Sequence, residues 1–400
     1  MKSSQSLYQG VEQGPIRPPN EAYSLLIRIT RNCPWNHCTF CPVYKEEDFS
    51  LRSVEDVKQD IDTLFKYAEI LQTWINEGRQ IAVSTLRDLC LQIDGAATEA
   101  NVYVPLSILN WLSTGMKTVF LQDANSLVIK PKDLIAILEH LKQRFPQVQR
   151  ITSYARSQTL AKMKIEDLRA ICNAGLNRVH IGMESGSDNV LTLMKKGTTK
   201  AMQIKAGLNV KEAGMELSEY YMPGLGGQHY SQEHAVESAD ALNQINPDFI
   251  RLRTLAIPEN VPLFQDYQMR KFTKCSDLMV IEETKTFLQH LTQVTSVIAS
   301  DHILNLLPEL QGKLPEERDR LLKVLQEFLE ADPQRQRLYQ VARRCGLLSS
   351  LDHLDDPQIH EKAQQLCNKL STVTEDVEDV VDQLANMTFK TRYSDAKPSL

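Results

Sequence analysis

Short apolar runs and amphipathic helical patterns alternate along the first two thirds of the chain. The first apolar run, residues 24–30, ends at a cysteine-rich loop and predicts a strand. Ser53, with Asp56 three residues later, resembles the capping pattern of a helix start, and apolar positions over residues 54–74 fall on one helical face. Residues 80–112 continue the helical pattern before the next strand, which indicates an insertion.

Strands and helices then follow each other in a regular order. Predicted strands cover residues 118–121, 148–154, 178–182, 215–222 and 249–255. A predicted helix opens at Pro131, and others cover residues 163–174, 188–195, 200–213 and 231–245. This alternation is typical of parallel strands joined by crossover helices. Six such units predict an α/β fold and favour a partial (β/α)6 TIM-like barrel over an open sheet, although both have the same periodicity.

The pattern changes after Pro258, where the chain becomes charged and helical with no clear strand. We therefore expect a polar leader at residues 1–23 and a barrel core at residues 24–265, with the helical insertion at about residues 78–113. An all-helical C-terminal region at residues 266–390 packs on or caps the barrel, and residues 391–400 form a mobile tail.

Composition narrows the functional classes. The chain has 45 Lys and Arg against 51 Asp and Glu, a net charge of −6, which argues against a global nucleic-acid surface because phosphate binding needs clustered cations. The leader lacks the apolar run of a signal peptide, and no long uncharged apolar segment is present. We expect a cytoplasmic protein that does not bind membranes.

Three of the eight cysteines, Cys33, Cys38 and Cys41, fall within nine positions, and the other five are scattered. This clustering indicates a metal site rather than disulfides. Thiolates suit both iron–sulfur clusters and zinc. Three thiolates can bind three irons of a cubane and leave the fourth open, whereas zinc needs four ligands and no second pair of ligands is evident. A structural zinc site remains the alternative.

The loop resembles the cluster loop of the radical S-adenosylmethionine (SAM) superfamily, usually Cys-x3-Cys-x-aromatic-Cys. Phe40 stands in the aromatic position, where family members place the adenine, but four residues instead of three separate Cys33 from Cys38. The resemblance implies a [4Fe–4S] cluster bound by Cys33, Cys38 and Cys41, with SAM on the open iron. It further implies that one electron, from reduced flavodoxin or ferredoxin, cleaves SAM to methionine and a 5′-deoxyadenosyl radical.

Two further segments carry the resemblance. His180 to Ser187, followed by a helix and Lys196, resembles the fourth-strand segment of methylthiotransferases, the elongator catalytic subunit and oxygen-independent coproporphyrinogen oxidase. By that resemblance Glu184 or Ser185 contacts the ribose or the methionine end of SAM, and Lys196 contacts its carboxylate. The turn Met222-Pro223-Gly224 resembles the fifth-strand turn of the elongator-like group and is expected to line the adenine.

Other strand ends offer candidate residues, because working groups in parallel barrels follow the strands. Their side-chain types suit binding, but each also has a structural interpretation. Gln122 and Asp123 could bind the SAM amino group or form a helix-entry turn, and Arg156 could bind a carboxylate or form a surface ion pair. Arg251 and Arg253 could bind an anionic substrate or pair with acidic neighbours. Asp301 and His302 could form an acid/base pair or occupy structural positions in a helix.

The sequence thus predicts a radical SAM enzyme, an oxidoreductase or transferase that acts on a small-molecule substrate. A tRNA-modifying enzyme is the first alternative, because two of the resembled groups suggest it. A zinc-stabilised binding protein without catalysis is the second. Metal analysis distinguishes the zinc-stabilised protein from the two enzymes, and an RNA-binding measurement distinguishes the tRNA-modifying enzyme from the small-molecule enzyme.

Overall fold

A computed structural model describes residues 8, 10–95 and 99–371 of the chain. The expected tail at residues 391–400 and the end of the expected helical region, residues 372–390, lie outside the described residues. The strands are β1 (Leu25–Arg28), β2 (Thr30–Arg31), β3 (Ser50–Leu51), β4 (Thr118–Gln122), β5 (Arg150–Ala155), β6 (Leu176–Glu184), β7 (Glu216–Tyr221), β8 (Phe249–Leu252), β9 (Val297–Ala299) and β10 (Gly312–Lys313).

Fourteen α-helices are seen within these described ranges. They are α1 (Val54–Asn76), α2 (Val83–Asp94), α3 (Glu99–Ser113), α4 (Pro131–Arg144), α5 (Ser157–Lys162), α6 (Ile165–Ala174), α7 (Asp188–Leu193), α8 (Lys200–Glu212), α9 (Gly227–Ile245), α10 (Pro262–Gln268), α11 (Asp277–His290), α12 (Arg318–Glu330), α13 (Pro333–Arg344) and α14 (Pro357–Ser371).

One sheet of eight strands organises the molecule, in the order β1-β4-β5-β6-β7-β8-β9-β10. Neighbours from β1 to β9 are parallel, and β10 is antiparallel to β9. The six predicted strands correspond to β1 and β4 to β8, so the α/β fold and the partial barrel are confirmed. Because these strands are parallel, their carboxyl ends meet at one edge of the sheet, the expected place for functional groups.

Alternation along the strands separates two faces of the sheet. Val119, Leu121 and Val179 point to the face covered by helices and belong to the large apolar core. On the inner face, the Tyr154 ring lies 5.2 Å from that of Phe120 and 5.6 Å from that of His180, centroid to centroid. A strand buried on both faces carries this mixture of aliphatic and aromatic residues.

Local signals explain most helix boundaries. Ser53 Oγ accepts a hydrogen bond from Asp56 N at 3.0 Å and starts α1, as the capping pattern predicted. Ser187 starts α7 in the same way, accepting from Val190 N at 3.1 Å. The helix predicted over residues 163–174 corresponds to α6, and a short unpredicted helix, α5, precedes it. The helix predicted from residue 231 begins four residues earlier, at Gly227.

The C-terminal region is helical, as predicted, but it also contains β9 and β10. These strands have three and two residues, too few for the alternating pattern that identifies a strand in sequence. β9 pairs with β8 and continues the barrel sheet. Across the described parts of the chain, helices long and apolar enough to cross a membrane are absent.

Candidate functional site

The cysteine loop follows β2 and lies at the carboxyl edge of the sheet. Cys33, Cys38 and Cys41 are unpaired and partly exposed, and they are near enough to affect one another electrostatically. Cys38 and Cys41 pack against an apolar cluster that includes Phe40 and Met222. The loop thus brings the three thiols within electrostatic range of one another, with Cys38 and Cys41 beside the fifth-strand turn.

Backbone hydrogen bonds hold the loop against two helix ends. Thr39 N donates to Met194 O at 3.0 Å, just after α7, and Leu263 N at the start of α10 donates to Thr39 O at 3.0 Å. Lys45 Nζ donates to Cys38 O at 2.9 Å. The segment between the second and third cysteines is therefore fixed on both sides.

Cations surround the thiols. Burial raises the pKa of the Cys38 and Cys41 thiols, and positive groups counter it: Lys196 at both thiols, Arg156 at Cys38 and Arg253 at Cys41. Since a thiolate-bound cluster adds negative charge, this set of soft ligands with nearby cations fits a [4Fe–4S] cluster. Across the parts of the chain that the structure describes, no group of three or more His, Cys, Asp or Glu side chains, the three thiols included, converges on the position of one metal ion.

Lys196 and Glu184 form an ion pair beside this loop. Lys196 Nζ lies 3.1 Å from Glu184 Oε1 and 5.7 Å from the centre of the Phe40 ring. Burial opposes the charge of Lys196, but the Glu184 carboxylate and the Cys38 thiol outweigh it and raise the pKa of the ammonium. The second oxygen, Glu184 Oε2, is buried without a hydrogen-bond partner. A buried acceptor of this kind suits a ligand donor such as a hydroxyl or ammonium group.

Behind Glu184, a buried histidine that the sequence reading missed links the strand-four and strand-five segments. His234 Nδ1 lies 2.8 Å from Ser185 Oγ, and His234 Nε2 lies 2.9 Å from Met222 O. Since a carbonyl only accepts, Nε2 carries the proton and Nδ1 accepts from the serine. Burial lowers the pKa of His234, which is consistent with a neutral ring. Ser185 Oγ also accepts from Ser187 N at 3.0 Å.

A second missed residue, Glu283 of α11, holds the fifth-strand turn. Glu283 Oε1 accepts hydrogen bonds from Gly224 N at 2.7 Å and from Tyr221 OH at 3.1 Å. Glu283 Oε2 accepts from Ser231 Oγ at 2.6 Å. No local signal identifies either His234 or Glu283, because both occupy ordinary positions in helical patterns. Only the fold brings them to the turn.

Gln122 and Asp123 have intramolecular partners. The side-chain amide of Gln122 accepts from Gly14 N at 2.9 Å and donates to Gly14 O at 3.0 Å. Asp123 accepts from Arg28 Nε at 2.8 Å, from Asn32 N at 3.1 Å and from Tyr44 OH at 3.0 Å. These contacts join the leader and the cysteine loop to the sheet. A contact of either residue with SAM stays a prediction.

The remaining candidates lie at the strand ends or on the inner face. Arg156 Nη2 donates to Lys196 O at 2.9 Å, and its guanidinium carbon lies 5.0 Å from the centre of the Trp35 ring. Arg251 donates to Ser218 Oγ at 3.2 Å and forms an ion pair with Asp301.

The structure therefore pairs Asp301 with Arg251. His302 Nδ1 accepts a hydrogen bond from the backbone N–H of Leu304 at 3.3 Å, and an acid/base role for Asp301 with His302 stays a prediction. Arg253 lies near Tyr220 as well as Cys41, between the inner face of the sheet and the cysteine loop.

Comparisons with known proteins agree with this fold. Residues 106–239 match the sequence model of the radical SAM superfamily. This segment runs from α3 into α9, includes β4 to β7 and does not include the cysteine loop. The chain is also 23% identical over 118 residues to a tRNA uridine(34) acetyltransferase of Methanocaldococcus infernus, a match that covers 29% of this chain and 22% of that protein.

Solved structures give distant likenesses. An archaeal Elp3 from Methanocaldococcus infernus has a TM-score of 0.39 and 15% identity, covering 49% of this chain and 52% of its own. Coproporphyrinogen III oxidase from Escherichia coli has a TM-score of 0.42 and 16% identity, covering 67% of this chain and 52% of its own. The chain thus spans about half of these proteins and about a fifth of the curated relative.

The family match covers the parallel strands that end at Glu184 and at the Met222 to Gly224 turn, and it includes Lys196 in the turn after α7. The members of that family use a [4Fe–4S] cluster and SAM, and the thiols and cations at this edge fit such a cluster. Residues 106–239 of the chain thus carry the sequence pattern of the radical SAM superfamily.

Proposed function

We propose that Cys33, Cys38 and Cys41 bind the [4Fe–4S] cluster and that SAM binds between this loop and the Glu184–Lys196 pair, where it is cleaved reductively. One observation carries the proposal: Glu184 Oε2 is buried without a hydrogen-bond partner, and the lysine paired with this carboxylate, Lys196, is close enough for its charge to lower the pKa of the Cys38 thiol. When bound, the reduced cluster supplies the single electron that SAM cleavage requires.

The chain's own residues supply binding and orientation. Lys196, with its raised pKa, stays protonated and provides a cation for the carboxylate of SAM. Glu184 Oε2 accepts a hydrogen bond from a ribose hydroxyl or from the amino group. The Phe40 ring and the backbone of the Met222-Pro223-Gly224 turn line the adenine. Ser185 is engaged with His234 and Ser187, so we assign it a supporting role.

The substrate site extends from this edge onto the inner face of the sheet. Arg251 is largely buried there, at 6% exposure, beside the rings of His180 and Tyr220. Buried arginine and aromatic side chains on the inner face suit a small molecule with an acidic group better than a folded nucleic acid. We therefore propose a small-molecule substrate, with Arg251 and Arg253 as candidate contacts.

A tRNA substrate is the second candidate, favoured by the sequence match to a tRNA uridine(34) acetyltransferase. Electrostatic RNA binding weakens steeply as salt rises. A gel-shift titration of transfer RNA at increasing salt, with the cluster-loaded protein, tests it. Saturable binding that persists at physiological salt supports the tRNA substrate, and its absence supports the small-molecule proposal.

The main experiment is anaerobic reconstitution followed by metal analysis and a SAM cleavage assay. We expect four irons per chain from the cluster stoichiometry, and 5′-deoxyadenosine after reduction by dithionite. Cys38→Ala is expected to lose both, whereas Cys172→Ala, on the helix layer at α6, is expected to retain both. Stoichiometric zinc without iron, or full cleavage by Cys38→Ala, would contradict the proposal.

A further inference from the structure

The cysteine loop contains one residue more between its first two cysteines than the common spacing, and Asn36 lies within this stretch. Asn36 has a φ of +47°, a left-handed conformation that asparagine tolerates better than most residues. Its backbone N–H lies 3.5 Å from Cys33 Sγ, and its side-chain amide donates to Tyr44 O. Lys45 Nζ donates to Asn36 O at 3.1 Å. The loop therefore turns sharply between Cys33 and Cys38.

Trp35, immediately before this turn, is held on four sides. Its indole Nε1 donates to Lys195 O at 2.8 Å. The Arg156 guanidinium lies 5.0 Å from its ring centre, and the His37 ring meets it edge-on at 5.0 Å. The fourth side rests on Gly197, where a Cβ would overlap the indole. A half-buried tryptophan with this many directed contacts has little freedom to move.

The surface that receives Trp35 is the turn between α7 and α8. Three successive carbonyls of this turn face the loop or its neighbour: Met194 O accepts from Thr39 N, Lys195 O from the indole, and Lys196 O from Arg156. Positive φ values at Lys195 and Gly197, +51° and +70°, shape the turn. The same turn carries the Lys196 side chain to Glu184.

We infer that Trp35 is a positioning residue for the cluster ligands. It anchors the lengthened first half of the loop to the α7–α8 turn, as Thr39 anchors the second half, so that Cys33 and Cys38 keep a fixed separation. The inference rests on the proposed function, because it assigns a role toward the cluster. It also has a consequence without a cluster: removal of the indole frees the first half of the loop, and the two thiols then react more readily with reagents in solution.

The test compares two glycines with the same backbone conformation. Gly197 and Gly78 both have a φ of +70°, but a Cβ at Gly78 meets no atom within 4 Å. Gly197→Ala and Gly78→Ala thus carry a similar backbone cost, and only Gly197→Ala displaces the indole. Trp35→Ala removes the indole directly, whereas Trp35→Phe keeps a ring over which Arg156 can lie. Trp74→Ala, on α1, is the control for the loss of a tryptophan elsewhere in the chain.

Iron retention after reconstitution is the first readout. We expect Trp35→Ala and Gly197→Ala to lose iron to a competing chelator on the order of tenfold faster than wild type, as is typical for groups that orient metal ligands. Trp35→Phe should retain iron better than Trp35→Ala, and Gly78→Ala and Trp74→Ala should match wild type. Equal retention in Trp35→Ala and wild type would overturn the inference.

Alkylation of the metal-free chain is the second readout and separates the inference from the proposed function. Iodoacetamide labelling, followed by mass spectrometry, gives a rate for each cysteine. We expect Cys33 and Cys38 to react faster in Trp35→Ala, with Cys172 unchanged. If the wild-type protein binds no iron, the proposed function is wrong. If the alkylation rates of Trp35→Ala equal those of wild type, the positioning role of Trp35 is wrong, even when iron binds. Circular dichroism of each variant confirms that the fold is intact.

Discussion

Glu283 accepts a hydrogen bond from the backbone N–H of Gly224 at 2.7 Å, across 59 positions of sequence. One residue lies in the C-terminal region, and the other lies in the turn that we propose lines the adenine of SAM. Because Glu283 also binds Tyr221 and Ser231, a single buried carboxylate fixes the turn from three sides. The C-terminal region therefore contributes directly to the shape of the candidate site.

Glu283→Gln tests this link. The amide keeps one acceptor oxygen but turns an NH2 group toward donors, which leaves at least one buried group unsatisfied. We expect the free energy of unfolding to fall by about 1–3 kcal/mol, and SAM to bind more weakly while the iron content stays at the wild-type value. Chemical denaturation and equilibrium dialysis with SAM measure both. Glu282→Gln, on the exposed side of α11, is the matched control. Unchanged SAM affinity would argue against a role for this turn.

The Lys196–Glu184 pair is tested by a double-mutant cycle. Lys196→Met leaves the Glu184 carboxylate without its cationic partner, and Glu184→Gln leaves the Lys196 ammonium group without its anionic partner. We expect each single variant to lose SAM affinity, and the double variant to regain stability relative to Lys196→Met because no unpaired charge remains. Lys195→Met, with an exposed side chain, should bind SAM normally. Strictly additive changes in unfolding free energy would show that the two residues do not interact.

Two buried histidines predict a loss of stability in acid. Burial lowers the pKa of His180, helped by Arg251, Arg178 and Arg150, and burial also lowers the pKa of His234. A lowered pKa in the folded state means that the unfolded chain binds more protons. Stability is therefore complete above the unfolded pKa of about 6.5 and decreases as pH falls below it, by up to about 1.4 kcal/mol per pH unit for each histidine.

Urea unfolding at pH 7.5 and 5.5 measures this dependence. His180→Phe keeps a ring between Tyr154 and Tyr220 and should remove part of the pH dependence, while the exposed His229→Gln should not change it. The same pH slope in wild type and His180→Phe would mean that other groups, the buried carboxyls among them, set the acid response.

Asp123→Asn separates a structural role from a binding role. The carboxylate accepts from Arg28, Asn32 N and Tyr44, so its replacement by an amide leaves Glu12, at 3.7 Å, as the remaining counter-charge of Arg28. We expect the free energy of unfolding to decrease by about 1–3 kcal/mol, with the SAM dissociation constant of the folded protein unchanged. A weaker affinity for SAM without a loss of stability would instead support the contact with the SAM amino group that the sequence suggested.

The sequence was sufficient for the six strands of the core and for the place of the cysteine loop after the first of them, because both depend on local patterns. Alternating apolar runs and helices determine a parallel sheet, and the closely spaced Cys33, Cys38 and Cys41 identify a site. Sequence patterns did not reveal β9 and β10, which are too short to show a period, or the roles of His234 and Glu283, which depend on long-range packing. They also did not show that Asp123 is already bound by three groups, since these come from distant positions.

The pairing of β8 with β9 has a practical consequence for dissecting the molecule. A fragment that stops near residue 265 would uncover the main-chain groups of Phe249 to Arg251 that β9 now satisfies, and would remove Glu283 from the turn beneath it. Such an exposed edge invites self-association rather than independent folding. Deletion variants should therefore keep β9, β10 and Glu283, rather than end near Pro258, where the pattern of the sequence changes.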